Sequence, residues 1–253
     1  MASPPASWPD ILKAPAFVIH LERRPDRWAS VLPKIEAAGF TDIQCYTAID
    51  ARQPEVCEAA YQALGAPKRH PTFNRDFDEY PGTFGVFLSQ VSLWKKIVDH
   101  QIPVATIFED DAMFHTDWAS LAPIYYQQTP KDFDVLFLGA QFEFASNYHV
   151  DKGPVFCLHA YTVTCNGAKR LLDYVLSTQP ESPQGGPGGI YTIDTMLKVA
   201  MEYRRPPPFQ WYVWNGTFFP CPLRSSQSIH WQKRNTGLVY QDESLGTDIR
   251  TYT

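Results

Sequence analysis

The sequence predicts an α/β fold, with a mostly parallel central sheet flanked by helices. Two observations point there. Apolar, β-prone runs alternate with helical segments through most of the chain, the pattern of strands joined by helical crossovers. The composition also supports a sizeable core: 253 residues, 44% hydrophobic and 14% aromatic, suit one α/β domain or at most two small ones.

The elements follow in order. Residues 1–14, rich in Pro and Ala, read as a flexible N-terminal arm. AFVIHL (16–21) is expected to be a buried first strand, and the charged ERRPDRW (22–28) follows it. A helix is expected over 26–38, with Trp28, Val31, Leu32 and Ile35 on one face. DIQCYT (42–47) reads as a second strand ending near Ile49, Asp50 and Ala51, and a short helix is expected around 54–64. GTFGVFLSQVSLWKKIVDH (82–100) is the clearest helix, since Phe87, Val91, Trp94 and Val98 recur at spacings of four, three and four. The next strand is the apolar run of VATIFEDDAMF (104–114) that ends in the acids. FDVLFLG (133–139) is a further strand stopped by glycine, and YTVTC (161–165) is a shorter one before a helix from about Asn166 to Ser177. TQPESPQGGPGG (178–189) reads as a loop, 191–202 as a helix broken by RRPPPF (204–209), and QWYVW (210–214) as a strand. Residues 232–253 are a polar C-terminal extension that either runs over the surface or contacts a second copy in a homodimer.

Several function classes are disfavoured. A net charge of −5 makes no electrostatic case for nucleic-acid binding. The five cysteines (Cys45, Cys57, Cys157, Cys165, Cys221) are odd in number and show no CxxC spacing, which argues against a zinc site and a disulfide framework. No apolar stretch is long enough for a transmembrane segment, and MASPPASWPD lacks the basic and apolar regions of a signal peptide. A cytoplasmic protein is the expectation.

The most informative stretch is VATIFEDDAMF (104–114), where an apolar run ends in Glu109, Asp110 and Asp111. In parallel sheets ligands sit at the carboxyl ends of strands. Carboxylates held close together raise one another's pKa unless a cation neutralises them, and Mn²⁺ or Mg²⁺ prefers oxygen ligands. The acids therefore fit a divalent ion shared with a diphosphate. They equally fit a solvated, capping turn. Alternation along an extended chain points Glu109 and Asp111 to the same side.

Several blocks together resemble glycosyltransferase family 25, the group of lipopolysaccharide and collagen galactosyltransferases. They are FVIHLERRPDR (17–27), YTAIDA (46–51), GTFGVFLSQVSLWKKIV (82–98), IFEDDA (107–112), FDVLFLG (133–139) and HAYTVTCNGAKRLL (159–172). Their order and spacing, across roughly residues 16–230, make chance agreement improbable. Two positions depart from the pattern: Gln90 stands where the family usually has His, and Val86 where it often has Cys. Gln keeps hydrogen-bonding capacity, so a change of detail is expected and not a change of reaction.

The resemblance implies a single GT-A-like (Rossmann-like) domain over 15–231. It also implies inverting transfer of a hexose, galactose or glucose, from a UDP-sugar to a glycan or other hydroxyl acceptor, with Mn²⁺ or Mg²⁺ as cofactor. On it, Asp111, Glu109 and His230 are the expected metal ligands, and Asp194, at the start of a helix, is the expected base. His230 sits in QSIHW, where the family often carries Ser-Asp-Ile; Ser228 and Ile229 match, but the acid does not. The expected nucleotide-sugar contacts are Leu21, Glu22, Arg24, Arg27, Asp50, Ser89, Gln90, Glu109 and Asp110. Arg23 reads as solvated. Loop 178–189 is a candidate lid over the donor. Trp211, Tyr212 and Trp214 either stack on an acceptor sugar or belong to the core, with core favoured for two of them. The chief alternative is a non-catalytic nucleotide-sugar or glycan-binding module that kept the fold. A metal-dependent phosphohydrolase or nucleotidyltransferase would also use acids at strand ends, but no motif for either is present.

Overall fold

The computed structural model describes residue 5 and residues 7–65, 81–142, 150–177, 192–215 and 234–245. Within them the chain forms an α/β/α sandwich. The strands are β1 (Pro15–His20), β2 (Asp42–Thr47), β3 (Val104–Glu109), β4 (Ala112–Phe114), β5 (Val135–Phe142), β6 (Val150–Asp151), β7 (Phe156–Thr164), β8 (Trp211–Trp214), β9 (Arg234–Gly237) and β10 (Val239–Gln241). The helices are α1 (Trp8–Lys13), α2 (Pro25–Ala37), α3 (Pro54–Ala63), α4 (Pro81–Asp99), α5 (Trp118–Gln128), α6 (Cys165–Ser177) and α7 (Ile193–Tyr203).

The main sheet runs in the order β2-β1-β3-β7-β5-β8-β6, with β9 also on β5. β1, β2, β3, β5 and β8 point the same way, and β7, β6 and β9 run against them. The α/β class with a mostly same-sense sheet is as expected. The antiparallel β7 at its centre is a finding, because strand direction depends on the connections and not on local composition.

Alternation along each strand sorts the core into two layers. Phe17, Ile107, Phe137 and Tyr161 face α3, α4, α6 and α7. Val18, Phe108, Leu136, Leu138 and Ala160 face α1, α2 and α5. Trp211 and Trp214 are buried and Tyr212 is half-buried, so two of these three aromatics are core.

Both ends of the chain differ from expectation. The supposed flexible arm contains α1, a helix started by Ser7, whose backbone N–H and hydroxyl both bond Asp10, with Pro9 in the first turn. Trp8 is only 7% exposed. Its ring lies 5.5 Å from both Trp118 and Trp214, and this aromatic burial anchors α1. The supposed C-terminal extension contains β9 and β10. β9 pairs β5 and β10 pairs β4, both antiparallel, and Leu238 and Val239 are fully buried. Residues 8–13 and 234–241 are therefore built into the domain that was expected to span 15–231.

This closing segment makes two demands on the sheet. β5 is irregular around Gly139, and a Cβ there would lie 1.7 Å from the Val239 carbonyl oxygen. Gly139→Ala is expected to lower stability by about 1–3 kcal/mol or more, read by urea denaturation, because backbone has to move to admit the methyl. The second demand falls on His159, which is fully buried and hydrogen-bonds the Val239 oxygen through Nε2 at 3.0 Å. Its Nε2–H is therefore the donor, and Nδ1 is left without a partner. Burial pushes this imidazole down to about 4, against the pull of the Val239 bond. From pH 6.5 toward 4 the unfolded chain binds a proton that the folded chain refuses. Stability should fall across that window by about 1.4 kcal/mol per pH unit from this group. His159→Gln, which keeps a donor for Val239, should show a shallower fall when unfolding is compared at pH 5 and pH 7.

Candidate active site

The acids sit where the sheet ends. β3 is buried from Val104 to Phe108, and Ile19 of β1 lies beside Glu109. The chain turns at Asp110 and Asp111 and continues as β4. Glu109 follows Ile107 by two residues, so it lies on the α4 face, whereas Asp110 turns to the α2 face.

Asp110 is enclosed there. Its Oδ2 pairs with His20 Nδ1 at 2.9 Å, and its Oδ1 accepts from Arg27 at 2.5 Å. Arg27 is positioned by the spacing of α2, whose buried residues are Arg27, Val31 and Ile35. That stripe four residues apart faces the sheet, so the guanidinium is delivered inward. Its second nitrogen donates to Asp111 Oδ2 at 3.1 Å. Arg27 thus bridges the second and third acids, while Asp111 stays close enough to Glu109 for its charge to raise that carboxyl.

Two carboxylates stay poorly compensated. Asp111 Oδ1 is buried and accepts no hydrogen bond. Burial, together with Asp110 and against the pull of Arg27, pushes Asp111 up to about 6. Glu109 accepts from Gln241 Nε2 at 3.1 Å, yet burial and the charges of Asp111, Asp110 and Asp194 push it up to about 8. Among the described residues no three His, Cys, Asp or Glu side chains form a ready metal cluster. A buried carboxylate oxygen without a donor, beside a second carboxylate, does fit a divalent cation that takes one or two carboxylates and completes its shell from a diphosphate. His230, the third expected ligand, lies outside the described residues, as does loop 178–189.

Asp194 stands in the first turn of α7, and its charge is felt at Glu109, which places both at the same pole. Its carboxylate accepts from Thr192 Oγ1, from the Thr195 N–H at 2.8 Å and from the Cys157 N–H at 3.4 Å. Cys157 takes a left-handed backbone conformation, φ 68°, to present that N–H. Asp194 therefore accepts a first-turn N–H of the helix that Thr192 caps, and its charge reaches the acids.

The other expected contacts are placed as follows. Asp50 is taken up by Arg23 Nε at 2.7 Å and by the Arg52 N–H at 3.0 Å, so Arg23 is paired and not merely solvated. Arg24 bonds Asp26 through two nitrogens and the Leu245 carbonyl at 3.1 Å. Glu22 is exposed and accepts from Thr47 at 3.4 Å, while Leu21 closes a turn to Arg24. Ser89 accepts from the Ile49 N–H at 2.8 Å and donates to Gly85 O at 2.7 Å, tying α4 to the loop after β2. A Cβ on Gly85 would lie 2.6 Å from Ile49 O, so the glycine permits this close approach. Gln90 is buried beside Tyr161.

Sequence reasoning missed His20, Gln241 and Asp242. His20 carried the same signal as the acids, a polar residue closing an apolar strand. Gln241 and Asp242 carried none. They arrive because β10 pairs β4, which brings Gln241 to Glu109, the Asp242 N–H to Asp111 O at 2.7 Å and the Asp242 carboxylate to Lys34 at 3.6 Å.

Same-sense strands make this an α/β protein, and its acid cluster lies at the strand ends, where such sheets bind ligands. Residues 13–152, more than half of the chain, match the model of "Glycosyltransferase family 25 (LPS biosynthesis protein)", and the chain belongs to that family. A "Glycosyltransferase 25 family member" from Anopheles gambiae is 24% identical over 172 residues. That match covers 62% of this chain and 28% of the relative, so the chain spans little more than a quarter of that protein's length. Among solved structures, a glycosyltransferase involved in the glycosylation of the major capsid of PBCV-1 is similar at a TM-score of 0.40 and 10% identity, over 79% of this chain and 80% of that chain. Among the described residues no helix is long and apolar enough to cross a membrane.

Proposed function

We propose that this chain is a metal-dependent, inverting hexosyltransferase that moves galactose or glucose from a UDP-sugar to a hydroxyl of a glycan. The observation that carries the reading is Asp111 Oδ1, buried without a donor next to the raised Glu109 carboxyl. A site that stores uncompensated negative charge is matched to a cation that neutralises it.

In this reading Asp111 and Glu109 would hold Mn²⁺ or Mg²⁺, which when bound neutralises the departing diphosphate. Arg27 and His20 keep the acids in place, and Arg27 limits the repulsion between Asp110 and Asp111. Asp194 accepts the proton of the acceptor hydroxyl. The new bond forms from that oxygen to the anomeric carbon, the bond from that carbon to the diphosphate oxygen breaks, and configuration inverts. The Thr192, Thr195 and Cys157 donors hold the Asp194 carboxylate fixed for this task. Sugar donor and hydroxyl acceptor are the partners, and the expected cytoplasmic setting belongs to the same reading.

The test is UDP release from UDP-galactose and UDP-glucose, with Mn²⁺, with and without glycan acceptors. Acceptor-stimulated release that EDTA abolishes is the expected result. Release indifferent to acceptors would make the protein a hydrolase. Donor binding without turnover would make it a nucleotide-sugar-binding module.

A further inference from the structure

Helix α4 buries a polar side chain against the acid end of the sheet. Gln90 is 1% exposed. Its Oε1 accepts from the Tyr161 hydroxyl at 2.6 Å, and the Tyr161 oxygen accepts from Trp94 Nε1 at 2.7 Å. An indole N–H is a donor only, so the proton order along this chain is set. Trp94 donates to Tyr161, and Tyr161 donates to Gln90. A flipped amide would leave the buried Tyr161 proton without an acceptor in this chain, so the network orients the amide. Its NH₂ group is the unused end: Nε2 is buried and has no hydrogen-bond partner. Leaving such a donor unsatisfied is costly in a folded core.

The surroundings say what would satisfy it. Tyr161 lies opposite Ile107 across the β3–β7 pair, and Glu109 follows two residues along the same face. The Glu109 charge is felt at the Tyr161 hydroxyl as it is at Asp194's end of the site. The neighbouring Ser89 binds the loop after β2. Gln90 therefore stands at the carboxyl edge of the sheet, on the face shared by Glu109 and the candidate base. The Arg27 side, with Asp110 and His20, is on the other face.

We propose that Gln90 is a substrate-binding residue whose Nε2 donates to a hydroxyl of the donor hexose, and that Tyr161 and Trp94 are positioning residues that hold the amide in that orientation. The inference rests on the UDP-sugar reading above and names its sugar contact. A neutral amide held by a donor-only indole keeps the same hydrogen-bond polarity at any pH where the domain is folded, which suits recognition of an uncharged hydroxyl. The chain also explains why the side chain is buried without being apolar: each of its members but the last is satisfied by the next.

The experiment compares affinities for UDP and for UDP-galactose and UDP-glucose, all with Mn²⁺, in the unaltered chain, Gln90→Met and Tyr161→Phe. Gln90→Met is expected to weaken binding of the preferred UDP-hexose about 10-fold and to leave UDP affinity unchanged. Tyr161→Phe should show the same selective loss at about 3-fold, because the amide loses its orienting proton but keeps its donor. A variant that merely loosened the fold would weaken both ligands together, and thermal melts report that separately. Equal weakening for UDP and UDP-hexose at an unchanged melt would place the contact on the nucleotide and overturn the hexose assignment. No change for either ligand would overturn the site altogether. Failure of the unaltered chain to bind UDP would instead overturn the parent reading, and this one with it.

Discussion

Asp111→Asn is expected to lower hexose transfer by ~10³-fold, the loss of several kcal/mol of charge stabilisation, while leaving the melting temperature unchanged or higher. The two effects have one cause. The Asp111 side chain is 13% exposed, one of its oxygens accepts from Arg27 at 3.1 Å, and the other is buried without a donor. Its carboxyl is pushed up to about 6, so burial and its acidic neighbours disfavour the charge that the fold retains at neutral pH. An amide oxygen still accepts from Arg27, and the repulsion with Asp110 and Glu109 is removed. Sites that hold charge for chemistry commonly carry such a stability penalty. Transfer assays and calorimetric melts on the same preparation check both halves. A variant that lost stability as well as activity would show Asp111 to be structural.

Arg27→Met is expected to have the largest effect on stability, a loss of about 3–5 kcal/mol. The guanidinium lies between two carboxylates, 2.5 Å from Asp110 and 3.1 Å from Asp111, with a side chain 10% exposed. Removing it leaves two buried negative charges facing each other, and His20 remains on Asp110 alone. Methionine fills much of the volume, so the loss reports charge and hydrogen bonding more than packing. Combining it with Asp110→Asn should recover a substantial part, since the cycle isolates the Arg27–Asp110 coupling. Urea denaturation of the four proteins measures it. A loss below about 1 kcal/mol would assign this pair the weight of a surface ion pair.

The parts of the fold that were legible were those written in local periodicity. DIQCYT is β2 to the residue, the apolar run that ends in the acids is β3, and the Phe87, Val91, Trp94 stripe is the buried face of α4. The acidic cluster was legible because charge at the end of an apolar run has few explanations. Elements stabilised by distant partners were not. Trp8–Lys13 is too short to show a period, and its burial depends on Trp118 and Trp214, more than 100 residues away. α5 carries an internal Pro123, and its buried face of Trp118, Ala122, Tyr125 and Tyr126 is blurred in the sequence by apolar residues off that face, such as the exposed Ile124. β9 and β10 are short and largely polar, and they exist because β5 and β4 offer them edges. The arginines show the same limit within the site. Composition says that Arg23, Arg24 and Arg27 can bind phosphate, but the fold has given each an internal carboxylate: Asp50, Asp26, and the Asp110–Asp111 pair.

The central claim is that the acids at the end of β3 bind a nucleoside diphosphate through a divalent cation. Calorimetric titration of UDP into the protein with Mn²⁺, then with EDTA, and again on Asp111→Asn, tests it most directly. Binding that requires Mn²⁺ and disappears in the variant is the predicted result. Binding of equal strength with and without the metal, or no UDP binding at all, would contradict it.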